Sequence, residues 1–368
     1  MASAAKLSPT LSLYIVRRFL VSFGAVLLVF AAVIFLLDVI ELMRRTSGRG
    51  DISISLIAGM ALLKLPYMAQ KIVPFAALFG GMHTFWRLTR FHELIVARAA
   101  GVSVWQFLFP AIASMVLLGL VNVSMFNPIA SAMLARYDLL EGRYVLGRSN
   151  LLTVSRTGLW LRQADEQGQS VIHAASVTQP DMVLRDVIIF LYEGTDQFLG
   201  RIDASEASLG NGTWNLKNAL ITGPNRASQT FETYSIKTNW TMEKIQDSFA
   251  APETMSFWEL PGFISLLDSA GFSASRHRLY WHSLLAVPLL LSAMVLVAAS
   301  FSLRPARRGG IAVLIGSGVV FGFLLFFLSD VVLALGLSAT IPTVLAAWTP
   351  AGFSLMIGLA VLLHLEDG

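Results

Sequence analysis

The stretch FLVSFGAVLLVFAAVIFLL, from Phe19 to Leu37, contains no charged side chain and decides the fold class. A helix needs about 20 predominantly apolar residues to cross the hydrocarbon of a bilayer. The run follows directly after Arg17 and Arg18 and lacks the small-residue cleavage pattern of a signal peptide. It is therefore interpreted as a retained first membrane helix.

The composition of the whole chain is that of a membrane protein. Of its 368 residues, 55% are hydrophobic and 14% are charged, and the mean hydropathy is +0.66. The net charge of +4 is explained by basic residues that flank membrane spans, so no nucleic-acid partner is predicted. Because cysteine is absent, disulfides, thiolate metal sites and cysteine nucleophiles are excluded.

Five further runs are long and apolar enough to span the bilayer. Ile54 to Phe85 is interrupted by Lys64, Gln70 and Lys71, and Gly309 to Leu335 by Asp330. The uncharged runs are Val102 to Leu134, Leu279 to Leu303 and Val331 to Leu363, the last with a break at GLSATIP, residues 336 to 342. We therefore predict six membrane helices with both termini on one side.

Lys and Arg in short loops predict which side is cytoplasmic. Three basic clusters fall on the side of the termini: Lys6, Arg17 and Arg18; Arg87, Arg90 and Arg98; and Arg304, Arg307 and Arg308. Three arginines on the opposite side count against this rule: Arg44, Arg45 and Arg49. The charge pattern predicts cytoplasmic N- and C-termini.

Between Arg136 and Arg278 the sequence becomes polar, with short alternating runs that predict strands: LLTVS, GLWLRQ, SVIHAASV, DVIIFLYE, FLGRIDASEASL and TWNLKNALIT. Turn-like breaks, EGTD and GNG, separate the runs. This pattern predicts an all-β domain on the far side of the membrane, a small sandwich or jelly roll. The predicted organisation is residues 1–135 for helices 1 to 3, 136–255 for the β domain, 256–277 for a connecting interfacial helix, and 278–368 for helices 4 to 6.

Motifs for chemistry are absent from the sequence. There is no GxxxxGK[ST] phosphate-binding loop, no HExxH and no GxSxG, and the histidines show no ligand spacing. No catalytic residue, cofactor or metal is predicted, and any energy source must lie elsewhere.

Charged residues inside the spans are informative because charge in the bilayer is costly. Lys64, Tyr67 and Lys71 share one helical face, which suits a basic stripe that holds an anionic headgroup. Alternatively, Lys64 reaches the interface and Lys71 pairs with a carboxylate of a neighbouring helix. Asp38 and Glu41 are candidate counter-charges.

Arg44, Arg45 and Arg136 gather positive charge at the outer headgroup level, where lipid phosphates would favour it. A solvated charge run is the alternative.

The segment RLTRFHELIVARAAG, residues 87 to 101, predicts a short amphipathic helix in the cytoplasm. At helical spacing its apolar side comprises Leu88, Phe91, Leu94 and Ile95, and Arg90 and Glu93 fall on another side. Such a helix with an exposed acid suits docking on a separate ATPase. A helix at the membrane surface and a plain loop helix are the alternatives.

Several local motifs, in order, resemble the LptF/LptG family of lipopolysaccharide export permeases over essentially the full length. LPYMAQKIVPFAALFGG resembles the family's second helix, HELIVARAAG its coupling helix, and LLDSAG followed by Arg276 and LYWHSLLAVPL the entry to its fourth helix. SATIPTVLAAWTPAGF is closer to the G than to the F subunit.

The resemblance implies a permease that forms a heterodimer with an LptF-like subunit, on an LptB-like ATPase dimer that binds the ATP. It also implies an LptC-like single-span protein and an LptA-like periplasmic bridge. Lipopolysaccharide would pass from the outer leaflet of the bacterial inner membrane into a periplasmic β domain. The implied ATPase-coupling residues are Arg90, Phe91, Glu93, Leu94 and Arg98, and the implied lipopolysaccharide contacts are Arg44, Arg45 and Arg136. Lys64 and Lys71 are predicted as further lipopolysaccharide contacts from the face that they share.

One departure concerns Asp38, where the family pattern leads us to expect a lysine, so Lys64 and Lys71 are candidates to supply that charge. Two other classes of function stay open on the residues alone. One is a membrane-anchored periplasmic interaction protein. The other is a secondary transporter driven through Asp38, Glu41 and Asp330, which no inverted repeat of broken helices supports.

Overall fold

The structure is a computed structural model. It describes residues 9–47, 53–146, 151–155, 158–165, 168–178, 183–193, 197–210, 212–224, 226–238, 250–269, 273–302, 311–338 and 340–367. Lys6, Arg49 and the predicted cluster Arg304, Arg307 and Arg308 lie outside these ranges. The chain forms two compact units, which are Met1–Glu141 with Ser256–Trp258 and Arg278–Gly368, and Gly142–Met255 with Glu259–His277.

The first unit is helical. Its helices are α1 (Pro9–Thr46), α2 (Ile54–Arg90), α3 (Glu93–Ala99), α4 (Val104–Val121) and α5 (Asn127–Glu141), followed after the second unit by α7 (Ser275–Ser302), α8 (Ile311–Leu337) and α9 (Thr343–Asp367). Among the described residues, six helical stretches are long and apolar enough to cross a membrane, as predicted. The break predicted at residues 336 to 342 separates α8 from α9.

The third membrane helix is longer than its apolar run. A π-helical segment, Asn122–Phe126, joins α4 to α5, and a second one, Gly142–Leu146, follows α5. The resulting span, Val104–Val145, has 42 residues. At about 1.5 Å per residue it is roughly twice as long as the hydrocarbon is thick, so the helix continues well past Arg136 instead of ending there.

Small residues bring the helices of this unit into close contact. A Cβ atom on Gly80 of α2 would lie 2.7 Å from Cα of Phe23 in α1, and one on Gly119 of α4 would lie 2.6 Å from Cα of Pro288 in α7. Such close approach of backbones is how helices gain packing contacts in lipid. The core contains buried residues of several helices, including Phe19, Leu78, Phe85, Leu108 and Met294.

The second unit contains one antiparallel sheet of seven described strands. They are β1 (Leu151–Ser155), β2 (Gly158–Asp165), β3 (Gly168–Thr178), β4 (Val183–Glu193), β5 (Gln197–Leu209), β6 (Thr213–Gly223) and β7 (Arg226–Lys237). Neighbours in the sheet follow chain order from β1 to β7. The predicted β domain is confirmed, but the described strands form a meander, without the crossover connections of a Greek-key jelly roll.

Apolar side chains at alternate positions along the strands form the hydrophobic core on one face of this sheet. Leu184, Val187 and Ile189 of β4 are buried, together with Trp214 and Leu216 of β6. Helix α6 (Leu260–Ser269) packs Leu267 into the same cluster. This helix falls in the segment predicted as a connecting interfacial helix, and its place at the membrane surface stays a prediction.

Candidate functional site

A group of charged residues surrounds the C-terminal end of α1. We call Asp38, Glu41, Arg44, Arg45, Lys64 and Glu141 the far-end charge cluster. Arg44 binds Glu41 through two nitrogens, each 2.9 Å from a carboxylate oxygen. Arg45 lies 2.7 Å from Glu41 and also reaches Glu141 of α5 at 3.3 Å. Arg45 therefore ties the end of α1 to α5.

Lys64 of α2 pairs with Asp38 of α1 at 2.8 Å. The ammonium group also lies 5.6 Å from the ring centre of Tyr137 in α5, and Tyr137 donates a hydrogen bond to Glu141. Asp38 thus serves as the predicted counter-charge within the membrane helices. The alternative interpretation of the sequence paired Lys71 with a carboxylate of a neighbouring helix. In the structure it is Lys64 that has such a partner, Asp38.

Lys71 lies two turns further along α2 and is exposed. Its ammonium group stacks over the ring of Tyr67 at 4.7 Å, and no ion pair of Lys71 is among those found within the described ranges. Next to it, Gln70 donates a hydrogen bond of 2.7 Å to the side chain of Asn122, where the π-helical segment begins. Lys71 therefore keeps its charge available on the face it shares with Tyr67.

Arg136 lies on the exposed side of α5. Within the part of the chain that the structure describes, no salt bridge of Arg136 is found. The three arginines therefore differ, because Arg44 and Arg45 share the carboxylate of Glu41, and Arg45 also pairs with Glu141, whereas no ion pair of Arg136 is found among the described residues.

The segment predicted as one amphipathic helix, residues 87 to 101, is broken in the structure. Arg87 to Arg90 form the last turn of α2, and α3 begins only at Glu93. His92 adopts a left-handed backbone conformation, with φ of 60°, which interrupts the helical hydrogen bonds between the two elements.

The predicted apolar side of this segment is wrong for the same reason. Leu88 and Leu94 are buried, whereas Phe91 and Ile95 are 62% and 57% exposed. Because the helix breaks at His92, two of the four side chains of the predicted apolar side are exposed to solvent. Val96 is also exposed, and Glu93 beside it is half-buried.

Glu93 is held by a contact that the sequence analysis did not predict. The hydroxyl of Tyr14 in α1 donates a hydrogen bond of 2.9 Å to Oε2 of Glu93. Tyr14 and Glu93 are 79 residues apart, so no local pattern could have linked them. Tyr137 and Glu141 were also missed, although their spacing of four on one helix was a usable signal.

Among the described residues, six helices long and apolar enough to span a membrane and a separate seven-stranded antiparallel sheet define a multi-pass membrane protein with a β unit. The family model of the lipopolysaccharide export system permease LptF/LptG matches residues 13–364. The chain belongs to this family.

Its relatives include the lipopolysaccharide export system permease protein LptG of Escherichia coli (strain K12). The two proteins are 26% identical over 334 residues, which cover 87% of this chain and 89% of the relative. The LptG protein of Haemophilus influenzae (strain ATCC 51907) is 23% identical over 360 residues, covering 93% of this chain and 95% of the relative. Both relatives are LptG proteins, in agreement with the predicted closeness to the G subunit.

Proposed function

We propose that this chain is the LptG-like permease subunit of an ABC exporter in the bacterial inner membrane. It takes lipopolysaccharide from the outer leaflet and passes it to the β domain on the periplasmic side. An LptF-like permease completes the channel, an LptB-like ATPase dimer supplies the energy, and LptC-like and LptA-like proteins receive the lipid. The observation that carries the proposal is the family match over residues 13–364, which includes both the helices and the sheet.

The far-end charge cluster, with Lys71 and Arg136, is the proposed contact for the phosphates of lipopolysaccharide. Arg44 is well placed because its side chain is 73% exposed although it binds Glu41. A phosphate can compete with that carboxylate, since guanidinium groups bind both in the same bidentate geometry. Lys71 and Arg136 have no such competitor among the described residues. Lys64 contributes least, because Asp38 already neutralises it.

The surface of α3 and the preceding turn is the proposed contact for the ATPase. It combines a carboxylate, Glu93, with the exposed apolar side chains Phe91 and Ile95, and with Arg90 and Arg98 at its edge. Apolar anchors surrounded by charged residues are typical of protein interfaces. In place of one amphipathic helix, a short helix and a turn form the proposed contact.

Co-purification tests the exporter. The tagged chain is expressed with an LptF-like and an LptB-like subunit and reconstituted with lipopolysaccharide. We expect a stable complex whose ATP hydrolysis rises when lipopolysaccharide is added. If the ATPase subunit does not co-purify and hydrolysis does not respond to the lipid, the chain is a membrane-anchored interaction protein instead.

Charge reversal tests the substrate contact. Changing Arg44, Arg45 and Arg136 together to Glu should abolish photo-cross-linking to lipopolysaccharide while the complex still assembles. The matched control replaces the same three residues by Lys, which keeps the charge and loses only the bidentate geometry. Normal cross-linking of the Glu variant would refute the assignment.

A further inference from the structure

The third membrane helix contains a proline, Pro128, and a tryptophan from another segment compensates for it. Proline has no N–H, so the carbonyl oxygen of Ser124, four residues earlier, lacks the donor that an α-helix would normally supply. The indole N–H of Trp258 donates a hydrogen bond of 3.1 Å to this oxygen. Trp258 belongs to Ser256–Trp258, a short segment that is part of the helical unit. Because proline in a membrane helix frees a backbone carbonyl that needs a donor, this contact stabilises the helix at Pro128.

Further hydrogen bonds hold the π-helical segment that precedes Pro128. The backbone N–H of Asn127 bonds the carbonyl oxygen of Asn122, five residues earlier, which is the π-helical pattern. Gln70 of α2 donates a hydrogen bond of 2.7 Å to the side chain of Asn122. At the other end, the backbone N–H of Phe257 donates one of 2.8 Å to Oδ1 of the buried Asn127. The segment is therefore fixed at both ends by residues outside its own helix.

The π-helical segment determines which side of α5 is buried. A π-helical turn contains one residue more than an α-helical turn, so the helix beyond it is rotated by about 100°. The buried side of α5 includes Ser131, Leu134 and Tyr137, and the ring of Tyr137 lies near the ammonium group of Lys64. In a continuous α-helix each of these positions would be taken by the preceding residue. Arg136 would then replace Tyr137 beside Lys64, where two positive charges repel each other, instead of lying on the exposed side.

We propose that Trp258 is a positioning residue for Arg136. By holding the π-helical segment it fixes the rotation of α5, and this rotation presents the guanidinium group of Arg136 to an anionic ligand. The proposal rests on the proposed function, in which that ligand is a phosphate of lipopolysaccharide. A tryptophan of the interfacial aromatic belt would interact with lipid headgroups, whereas this indole N–H is bonded to the third membrane helix itself.

The rotation of α5 can be measured with single thiols, because the chain has no cysteine. The full permease with its partner subunits is reconstituted in vesicles, and Ser131→Cys and Leu139→Cys are labelled separately with a maleimide. Ser131 is 3% exposed and Leu139 is 74% exposed. Loss of the π-helical segment would turn the first residue outward and the second inward. General loosening of the helix would expose Ser131 without protecting Leu139, so the ratio of the two labelling rates distinguishes the two effects.

Three variants test the role of Trp258. Trp258→Phe keeps an aromatic ring and removes the N–H, so the ratio of Ser131→Cys to Leu139→Cys labelling should rise several-fold. Trp281→Phe is the matched control, because the indole N–H of Trp281 has no hydrogen-bond partner among the described residues, and it should leave the ratio unchanged. Pro128→Ala restores a backbone N–H and favours the continuous α-helix, so it should raise the ratio even with Trp258 in place.

The effect on the ligand is measured with a photoreactive residue at Leu139, one turn from Arg136. Cross-linking to lipopolysaccharide should fall several-fold in Trp258→Phe and Pro128→Ala and stay at the parent level in Trp281→Phe. An unchanged labelling ratio in Trp258→Phe, or in Pro128→Ala if the former does not assemble, would overturn the proposal. The same change of ratio in Trp281→Phe would also overturn it.

A changed ratio with full cross-linking would show that the rotation of α5 does not position the contact, which again contradicts the proposal. The export function is judged separately on the parent chain, by its lipopolysaccharide-stimulated ATP hydrolysis. A parent permease that responds to the lipid keeps its proposed function whatever the variants of Trp258 and Pro128 show.

Discussion

Lys64 of α2 donates a hydrogen bond of 2.8 Å to Oδ1 of Asp38 in α1, and this pair joins two long membrane helices. Both side chains are largely buried, at 22% and 16% exposure. The other oxygen of Asp38, Oδ2, is buried and has no hydrogen-bond partner among the described residues. Asp38, which stands where the family pattern leads us to expect a lysine, therefore has its charge balanced by Lys64 of the neighbouring helix.

Removal of both members of this pair should cost less stability than the sum of the two single removals. Lys64→Met leaves the carboxylate of Asp38 partly buried without its cation, at an expected cost of roughly 1 to 3 kcal/mol. Asp38→Asn leaves the ammonium group in the same position. The double variant should lose less than the sum, which a thermal-melting double-mutant cycle measures. Strictly additive losses would show that the pair contributes no coupling energy.

Two glycines of α2 should respond in opposite ways to the same substitution. Gly80→Ala places a methyl group 2.7 Å from Cα of Phe23, so α1 and α2 must move apart, at roughly 1 to 3 kcal/mol. Gly59 has no atom within 4 Å of the added methyl group, so Gly59→Ala should gain up to about 1 kcal/mol from helix propensity. Melting temperatures of the purified variants compare the two, and a stabilised Gly80→Ala protein would contradict the close approach.

The sequence was sufficient to predict the membrane helices because each is a predominantly apolar run of about the length that the bilayer requires or longer, and four of the six carry no charge. It also predicted six of the seven strands through their alternation. Strand β7, with the polar run RASQTFETYSIK, escaped because only its pairing with β6 identifies it. The predicted turn sequences EGTD and GNG fall partly outside the described residues.

The candidate site could be predicted less well, for physical reasons. Spacing placed Lys64 and Lys71 on one face, but which of them meets a carboxylate depends on how α1 packs against α2. The break at His92 was invisible because RLTRFHELIVARAAG has helical periodicity throughout and a left-handed residue other than glycine gives no pattern. The contact between Tyr14 and Glu93 likewise depends on tertiary packing.

The sheet should have a pH-dependent contribution to its stability from a cross-strand pair. Glu206 of β5 lies opposite Lys217 of β6, and their side chains are 3.0 Å apart. The hydrogen bond and charge of Lys217 lower the pKa of Glu206 below its usual value of 4.5. A carboxyl whose pKa is lowered on folding stabilises the protein above its unfolded pKa, and this is lost as the pH falls through the folded pKa.

Glu206→Gln should therefore reduce stability at neutral pH and have little effect well below pH 4.5. The loss is expected to be small and to fade with added salt, because the pair is exposed. Hydrogen exchange of the β5 and β6 amides in the full chain measures it locally. Glu232→Gln on β7 is the control, since no ion pair of Glu232 is described. A larger loss in acid than at neutral pH would contradict the sign.

We expect Glu93 to bind the ATPase subunit. Its hydrogen bond with Tyr14 provides a second variant that distinguishes this binding role from a structural role. Glu93→Ala removes both the free carboxylate oxygen and the hydrogen bond from Tyr14, whereas Tyr14→Phe removes the hydrogen bond alone. A hydrogen bond to a charged group contributes roughly 1.5 to 3 kcal/mol, or about ten- to 150-fold in the dissociation constant. We expect Glu93→Ala to weaken ATPase association by about this factor, or to uncouple ATP hydrolysis from export.

Tyr14→Phe should change neither association nor coupling, because the carboxylate that faces the partner remains. Titration of the reconstituted permease with the ATPase subunit, together with hydrolysis and export measured on the same vesicles, distinguishes the two variants. If Tyr14→Phe weakens association as much as Glu93→Ala does, Glu93 acts by fixing α3 against α1. The ATPase would then be held by the apolar side chains, Phe91 and Ile95, which are turned outward by the break at His92.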